Sequence, residues 1–320
     1  MRWATYQTVD APGVDKLGLV DGDVIHGYRG TGDLIALLGD DGDRLRQAAQ
    51  EAKSNPLETV DLAAVKLRPL LSAPPSIRDF SSFLEHYRTS IINLGQEFNE
   101  KLLTLPIFYY TNNTNMLGDG DEVSIPGHAQ SMDYELEIAC IIGKAGIDLT
   151  PEEAESHIAG YCILNDWSIR DLLAEELSRA PMAAKGKDAG MGLGPFLVTA
   201  DELEDRRKGL GFDLKMTATV NGQEYSNNSW ASINWSFGEM LSYASRNVWL
   251  RPGDVIGGGT VGRGCILELG GTFGRDTYPW LQEGDEVTVE IERLGKMTNR
   301  LKRGKQPFPL KARTMDMLPA

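Results

Sequence analysis

Ser131-Met132-Asp133-Tyr134-Glu135-Leu136-Glu137-Ile138-Ala139-Cys140-Ile141-Ile142 is the stretch on which the reading of this chain turns. In a strand successive side chains alternate faces, so Asp133, Glu135 and Glu137 would point one way, about 6.7 Å from next to next. Tyr134, Leu136 and Ile138 would fill the other face. The pattern predicts a half-buried strand whose acids need water or a cation to offset their mutual repulsion. Two of them sharing one hard divalent metal is the functional reading; the wet face of an antiparallel strand is the alternative.

Composition narrows the choice. A chain of 320 residues can bury an ample core. Its 41% hydrophobic and 24% charged content is that of ordinary globular proteins. A net charge of −14 argues against nucleic acid or an anionic membrane as partner, because both need a basic surface to displace counterions. Residues Met1 to Gln7 lack the apolar run of a signal peptide, and nothing approaches membrane-spanning length, so a cytoplasmic location is expected. Cys140, Cys162 and Cys265 each sit in an apolar run without close spacing, which suggests neither a disulfide framework nor a zinc cluster. The four histidines, His26, His86, His128 and His157, form no metal-binding pair. A metal would therefore be held by oxygen, which favours magnesium, manganese or calcium over zinc.

Gly-Asp turns followed by β-branched residues recur at Gly22-Asp23, Gly120-Asp121, Gly253-Asp254 and Gly284-Asp285. Asp40-Asp41-Gly42-Asp43 lacks the later ligands of a calcium loop and reads as a solvated turn. Residues 1–68 read as a small unit of short strands with a polar helix from Asp40 to Ser54. The proline-rich connector Arg68 to Ser76 forbids regular structure and places a boundary before a larger unit, 69–320. Within it, Phe80 to Gly95, Pro151 to Ala159 and Trp235 to Ser245 read as helices, and Leu136 to Gly143 and Phe212 to Val220 as strands. Many strands, many glycines and few helices indicate an α+β, β-rich fold rather than a doubly wound sheet.

The apolar segment Gly160 to Leu164 runs into Asn165-Asp166-Trp167-Ser168-Ile169-Arg170-Asp171, where Asp166 could complete a metal shell or cap a helix through Leu177. Gly257-Gly258-Gly259-Thr260-Val261-Gly262-Arg263-Gly264 matches no nucleotide fingerprint and is either a tight turn or a place where backbone amides approach an anion or enolate. Asp79 and His86 lie seven residues apart, two turns of a helix if the segment is helical throughout.

Together these segments resemble the fumarylacetoacetate hydrolase family over residues 69–300. The likeness runs through Asp133-Tyr134-Glu135-Leu136-Glu137, Asn165 to Asp171, Gly186-Lys187-Asp188 through Gly194-Pro195, and Arg251-Pro252-Gly253-Asp254 to Thr260 and Glu268, all in family order. The resemblance implies a mixed β-roll with a small N-terminal domain, assembled as a homodimer. It implies Mg²⁺ or Mn²⁺ held by Glu135, Glu137 and Asp166, with Asp79 as a fourth ligand. It also implies His86 as general base, Glu268 as the carboxylate that orients it and Lys187 as the cation that stabilises a leaving carbanion. Tyr109, Arg170 and Thr260 would contact substrate.

The expected activity is metal-dependent hydrolysis of a C–C bond in a small 2,4-dioxo acid (an acylpyruvate) or related β-diketone. Metal, base and cation each have a task in that reaction. Decarboxylation, hydration or dehydration of 2-oxo acids and keto–enol tautomerisation of the oxaloacetate type use the same acids and are the alternatives. A metal- or carboxylate-binding β protein without turnover is another. Gly95 and Ser81 replace an arginine and a tyrosine of fumarylacetoacetase-type members, and Leu173 and Leu177 stand where these have polar substrate contacts. A substrate less acidic, or more apolar, at its far end is expected.

Overall fold

The computed structural model of the protein describes residues 1–180 and 182–311; the last nine residues of the expected larger unit lie outside it. The acid segment is again the place to start. Leu136–Ile142 is a strand buried on both faces, lying between antiparallel neighbours Ile158–Asp166 and Val255–Thr260. That double burial is why its second half reads as a continuous apolar run. Ile138, Ile141 and Ile142 are fully buried, each contributing about 1.5–3 kcal/mol.

The large sheet continues outward on both sides. Beyond Val255–Thr260 lies Ile77–Phe80 in parallel pairing, then Phe108–Tyr110. Beyond Ile158–Asp166 lies Met191–Val198, which pairs antiparallel with Arg2–Gln7. Lys16–Asp21, Val24–Gly27 and Thr59–Asp61 then extend this side, so strands from the first 61 residues belong to the same sheet. A second sheet, ordered Gln223–Ser229, Lys215–Val220, Glu286–Ile291, Gly295–Arg303 and Glu122–Ile125, shares a core with the first. The result is the α+β, sheet-rich architecture expected.

Helix α1, Asp43–Ser54, buries Leu45, Ala48, Ala49 and Ala52. The others are α2 (Leu84–Asn93), α3 (Pro151–Glu155), α4 (Arg170–Arg179), α5 (Phe237–Ala244) and α6 (Ile266–Phe273). Capping boxes from Thr150 and Ser236 start α3 and α5, and α5 buries Phe237, Met240, Leu241 and Ala244 as its periodicity requires.

Three local readings differ from the structure. The segment Phe80–Gly95 is not helical throughout: Ile77–Phe80 is a fully buried strand, and only from Leu84 does the helix begin. Pairing on both edges of Ile77–Phe80 outweighs its weak local preference. Helix α3 stops at Glu155 because the chain from Ile158 is taken into the sheet. Likewise Phe212–Val220 is regular only over Lys215–Val220, after a short pair of residues at Gly211–Phe212.

Candidate metal and acid–base site

The acid segment breaks where its chemistry begins. Met132–Asp133 leaves the large sheet and pairs with Ser168–Ile169, and the long strand starts only at Leu136. The three acids therefore do not share one face. Asp133 accepts hydrogen bonds from the backbone amides of Ile266 (2.8 Å) and Leu267 (3.0 Å), the first turn of α6, and from Arg170 Nε (2.8 Å). Cys265, the residue before that helix, supplies no side-chain cap. A carboxylate suits such a position, meeting unpaired N–H groups and the positive end of the helix dipole.

Glu137 points elsewhere. One oxygen from each of Asp79, Glu137 and Asp166 lies within 4.8 Å of the other two. All three residues are buried, and Asp79 Oδ1, Glu137 Oε2 and Asp166 Oδ1 have no hydrogen-bond partner. The spacing between Asp79 and His86 is thus a strand-to-helix spacing, and the strand delivers Asp79 to the cluster. Burial, followed by the charge of Asp166, pushes the Asp79 carboxyl up to about 7. Burial, followed by the charges of Asp79 and Glu135, lifts Glu137 well above the carboxylate range. Asp166 is raised to about 6 by burial, against the pull of Lys187.

These observations test the fit of a metal. Three buried carboxylates, each with an unpartnered oxygen, converge on one point where their like charges oppose one another. A hard cation holds oxygen ligands at roughly 2.0–2.6 Å, so two ligands of one ion lie at most about 5 Å apart. The separation and the all-oxygen donor set fit Mg²⁺, Mn²⁺ or Ca²⁺.

Glu135 stands beside the trio rather than in it. Its Oε1 accepts from Arg170 Nη2 at 2.7 Å and its Oε2 from Lys187 Nζ, which also donates to Asp166 Oδ2 at 2.6 Å. Burial would raise the Glu135 carboxyl, but the guanidinium and the ammonium outweigh it and hold the group below the usual range. For Lys187 the same carboxylates outweigh burial and keep the ammonium charged.

The acid–base pair joins residues 182 positions apart. His86 Nδ1 lies 2.6 Å from Glu268 Oε2. Glu268 also accepts from the backbone amides of Arg263 (3.0 Å) and Gly264 (3.2 Å). The amides of the glycine-rich loop thus go to a protein carboxylate. Burial lowers the His86 pKa, but Glu268 more than offsets this and holds it above the ordinary value. His86 Nε2 is 3.9 Å from Glu135 Oε1. Cys265 Sγ sits 3.6 Å from Glu268 Oε2, and burial keeps its thiol far above the usual value.

Of the expected substrate contacts, Tyr109 donates its hydroxyl to Asp166 Oδ2 and Thr260 donates to Glu137 Oε1 at 3.0 Å. Both, with Arg170, line a cavity of about 340 Å³ that also holds Asp79, His86, Glu135, Glu137 and Lys187. Asp166 and Glu268 act on it from behind. Sequence reasoning missed Asp133 as the residue that ties Arg170 to α6. It also missed Asn165, whose side-chain oxygen accepts from the Glu135 amide at 3.1 Å. A helix start without a Ser, Thr, Asp or Asn cap at Cys265 was the available hint.

A buried carboxylate trio and a His–Glu pair thus stand around one cavity, lined by Asp79, Glu137 and His86, with a donor set that fits a hard cation beside a histidine. The family model described as Fumarylacetoacetate (FAA) hydrolase C-terminal matches residues 77–302, and the chain belongs to that family. Human mitochondrial oxaloacetate tautomerase FAHD2B is 32% identical over 197 residues, 61% of this chain and 59% of the relative. The match thus spans less than two thirds of that relative. Oxaloacetate tautomerase YisK of Bacillus subtilis is 28% identical over 245 residues, 75% of this chain and 74% of the relative. Maleylpyruvate hydrolase from Sphingobium sp. SYK-6, solved with manganese(II) and pyruvate, has the same fold. Its TM-score is 0.70 at 22% identity, covering 95% of this chain and all of that one. No helix among the described residues is long and apolar enough to cross a membrane.

Proposed function

We propose that the protein is a metal-dependent keto–enol tautomerase of a 2-oxo acid with an acidic C3–H. The observation that carries the reading is His86, backed by Glu268 at 2.6 Å and opening on the same cavity as Asp79 and Glu137. Sequence similarity to relatives named oxaloacetate tautomerases supports it over the C–C hydrolysis expected from the sequence. We assign Asp79, Glu137 and Asp166 as metal ligands, with Glu135 beside them. A divalent ion there would act as a Lewis acid on the 2-oxo group. We assign no catalytic side chain to residues 1–68, and place the enzyme in the cytoplasm as a homodimer; the human relative is mitochondrial.

Glu268 accepts the Nδ1 proton of His86 and so leaves Nε2 as the basic nitrogen. Nε2 takes the proton from C3, and Glu268 stabilises the imidazolium that forms. The proton is then returned on the substrate oxygen. Lys187 and Arg170 supply fixed positive charge against the negative charge that develops during transfer. A second reading, hydrolysis of an acylpyruvate, draws on the same pair, since His86 held by Glu268 can equally take a proton from water.

The test follows enol absorbance of oxaloacetate and of acylpyruvates with Mn²⁺, beside product analysis in ¹⁸O water. Acceleration above metal alone, lost by about 10²–10⁴ in His86→Ala with Mn²⁺ affinity retained, is the expected result. Pyruvate plus an ¹⁸O-labelled carboxylic acid, without faster interconversion, would replace the tautomerase by the hydrolase.

A further inference from the structure

The lining of the cavity is of two kinds. Its buried, acidic part is the site described above. Its less buried part is apolar: Tyr87, Ile91 and Leu94 recur at i, i+4 and i+7 along α2 and its C-cap, and Leu173 and Leu177 at i and i+4 along α4, with Leu267 added from α6. These spacings bring one stripe of α2 and one of α4 to the cavity. Leu94 and Leu177 are 48% and 47% exposed, which places them at the rim.

Charge is distributed just as unevenly. Among the described lining residues the basic side chains are His86, Arg170 and Lys187. Each is already set against carboxylates: His86 against Glu268, Arg170 against Asp133 and Glu135, Lys187 against Glu135 and Asp166. The other polar lining residues beside these and the carboxylates, Ser81, Ser90, Gln96 and Thr260 with the tyrosines, are neutral. A second carboxylate on the substrate would lose water against leucines with no basic group to receive it.

We propose that the enzyme favours 2-oxo acids whose end remote from the oxo-acid group is a branched alkyl or aryl group, binding them more tightly than dicarboxylates such as oxaloacetate, which remain slower substrates. This rests on the reading of the polar part as the place where the 2-oxo acid is held. Each methylene buried against the stripe gains about fourfold in affinity.

Calorimetric titration of the full chain with Mn²⁺ present compares 2-oxoglutarate with 5-methyl-2-oxohexanoate, in which an isopropyl group replaces the distal carboxylate. The apolar acid is expected to bind about tenfold tighter or better. Leu177→Arg, at the half-exposed rim, is expected to cut that preference about tenfold by giving the distal carboxylate a partner; Leu94→Lys serves if the first variant does not fold. Equal or tighter binding of 2-oxoglutarate to the unmodified protein overturns the selectivity and leaves the tautomerase reading standing. A preference unchanged in the folded variant overturns the assignment of the wall. Tight binding of the apolar acid without any tautomerisation sinks the activity and keeps the selectivity, and failure of both acids to bind sinks both.

Discussion

Glu137→Gln separates folding stability from metal binding, because Glu137 sits in a cluster where each carboxylate opposes the others. Two unit charges 4.8 Å apart, the outer limit of the cluster, repel by about 3.5 kcal/mol at an effective dielectric near 20. Glu137, held well above the carboxylate range, already carries most of the relieving proton, so its neutral amide adds at most about 1 kcal/mol. The amide oxygen can keep the hydrogen bond from Thr260, and the amide nitrogen can donate to Asp79. A chain of 320 residues unfolds with about 0.7 kcal/mol per kelvin, so the metal-free variant should melt at the parent temperature or up to about 1.5 °C higher. Ion at 100 times its dissociation constant stabilises by about 2.7 kcal/mol, or about 4 °C, in the unmodified protein. That increment should vanish in the variant. There is a pH signature as well. Asp79 and Asp166 titrate near 7 and 6, above their unfolded value of 3.8. Their contribution is fully present below that value and is lost as pH rises through 6 to 7. The decline should be shallower in Glu137→Gln and in the metal-loaded protein. Scanning calorimetry from pH 5 to 8, with and without Mn²⁺, reads all three effects. A metal-free variant less stable than the parent, or an unchanged metal increment, would refute the reasoning.

Asp133→Asn should act in the opposite direction, because its amide NH₂ faces backbone and guanidinium donors; a loss of about 3–5 kcal/mol is expected. Calorimetry should show it, together with a fall in kcat at near-normal Mn²⁺ affinity, since Arg170 and the start of α6 shift while the trio stays. Gly257→Ala would drive a methyl group into the Asp79 carboxylate, and Mn²⁺ affinity should fall about 10–100-fold in titration. Unchanged affinity there would remove Asp79 from the ligand set.

Much of the fold was legible locally. The apolar run marked the Leu136–Ile142 strand, although alternation led to a half-buried strand and both its faces are buried; apolar spacing marked the buried face of α5, and Pro151 with its acidic first turn marked the start of α3. Motif order pointed to the family. What the chain alone could not convey is where strands stop and which partner each side chain meets. Period-two alternation put Asp133 with Glu135 and Glu137, yet pairing of Met132–Asp133 with Ser168–Ile169 turned it toward α6. The helix expected from Phe80 gave way at its start, because strands on both sides take Ile77–Phe80 and with it Asp79. The Glu135 carboxylate met Arg170 and Lys187 instead of its own strand neighbour, and His86 found Glu268 from the far end of the chain. Local patterning depends on backbone periodicity and short-range sterics, which sequence encodes directly. Hydrogen-bond partners and buried charge depend on long-range contacts, and these exist only once the sheets have closed around the site.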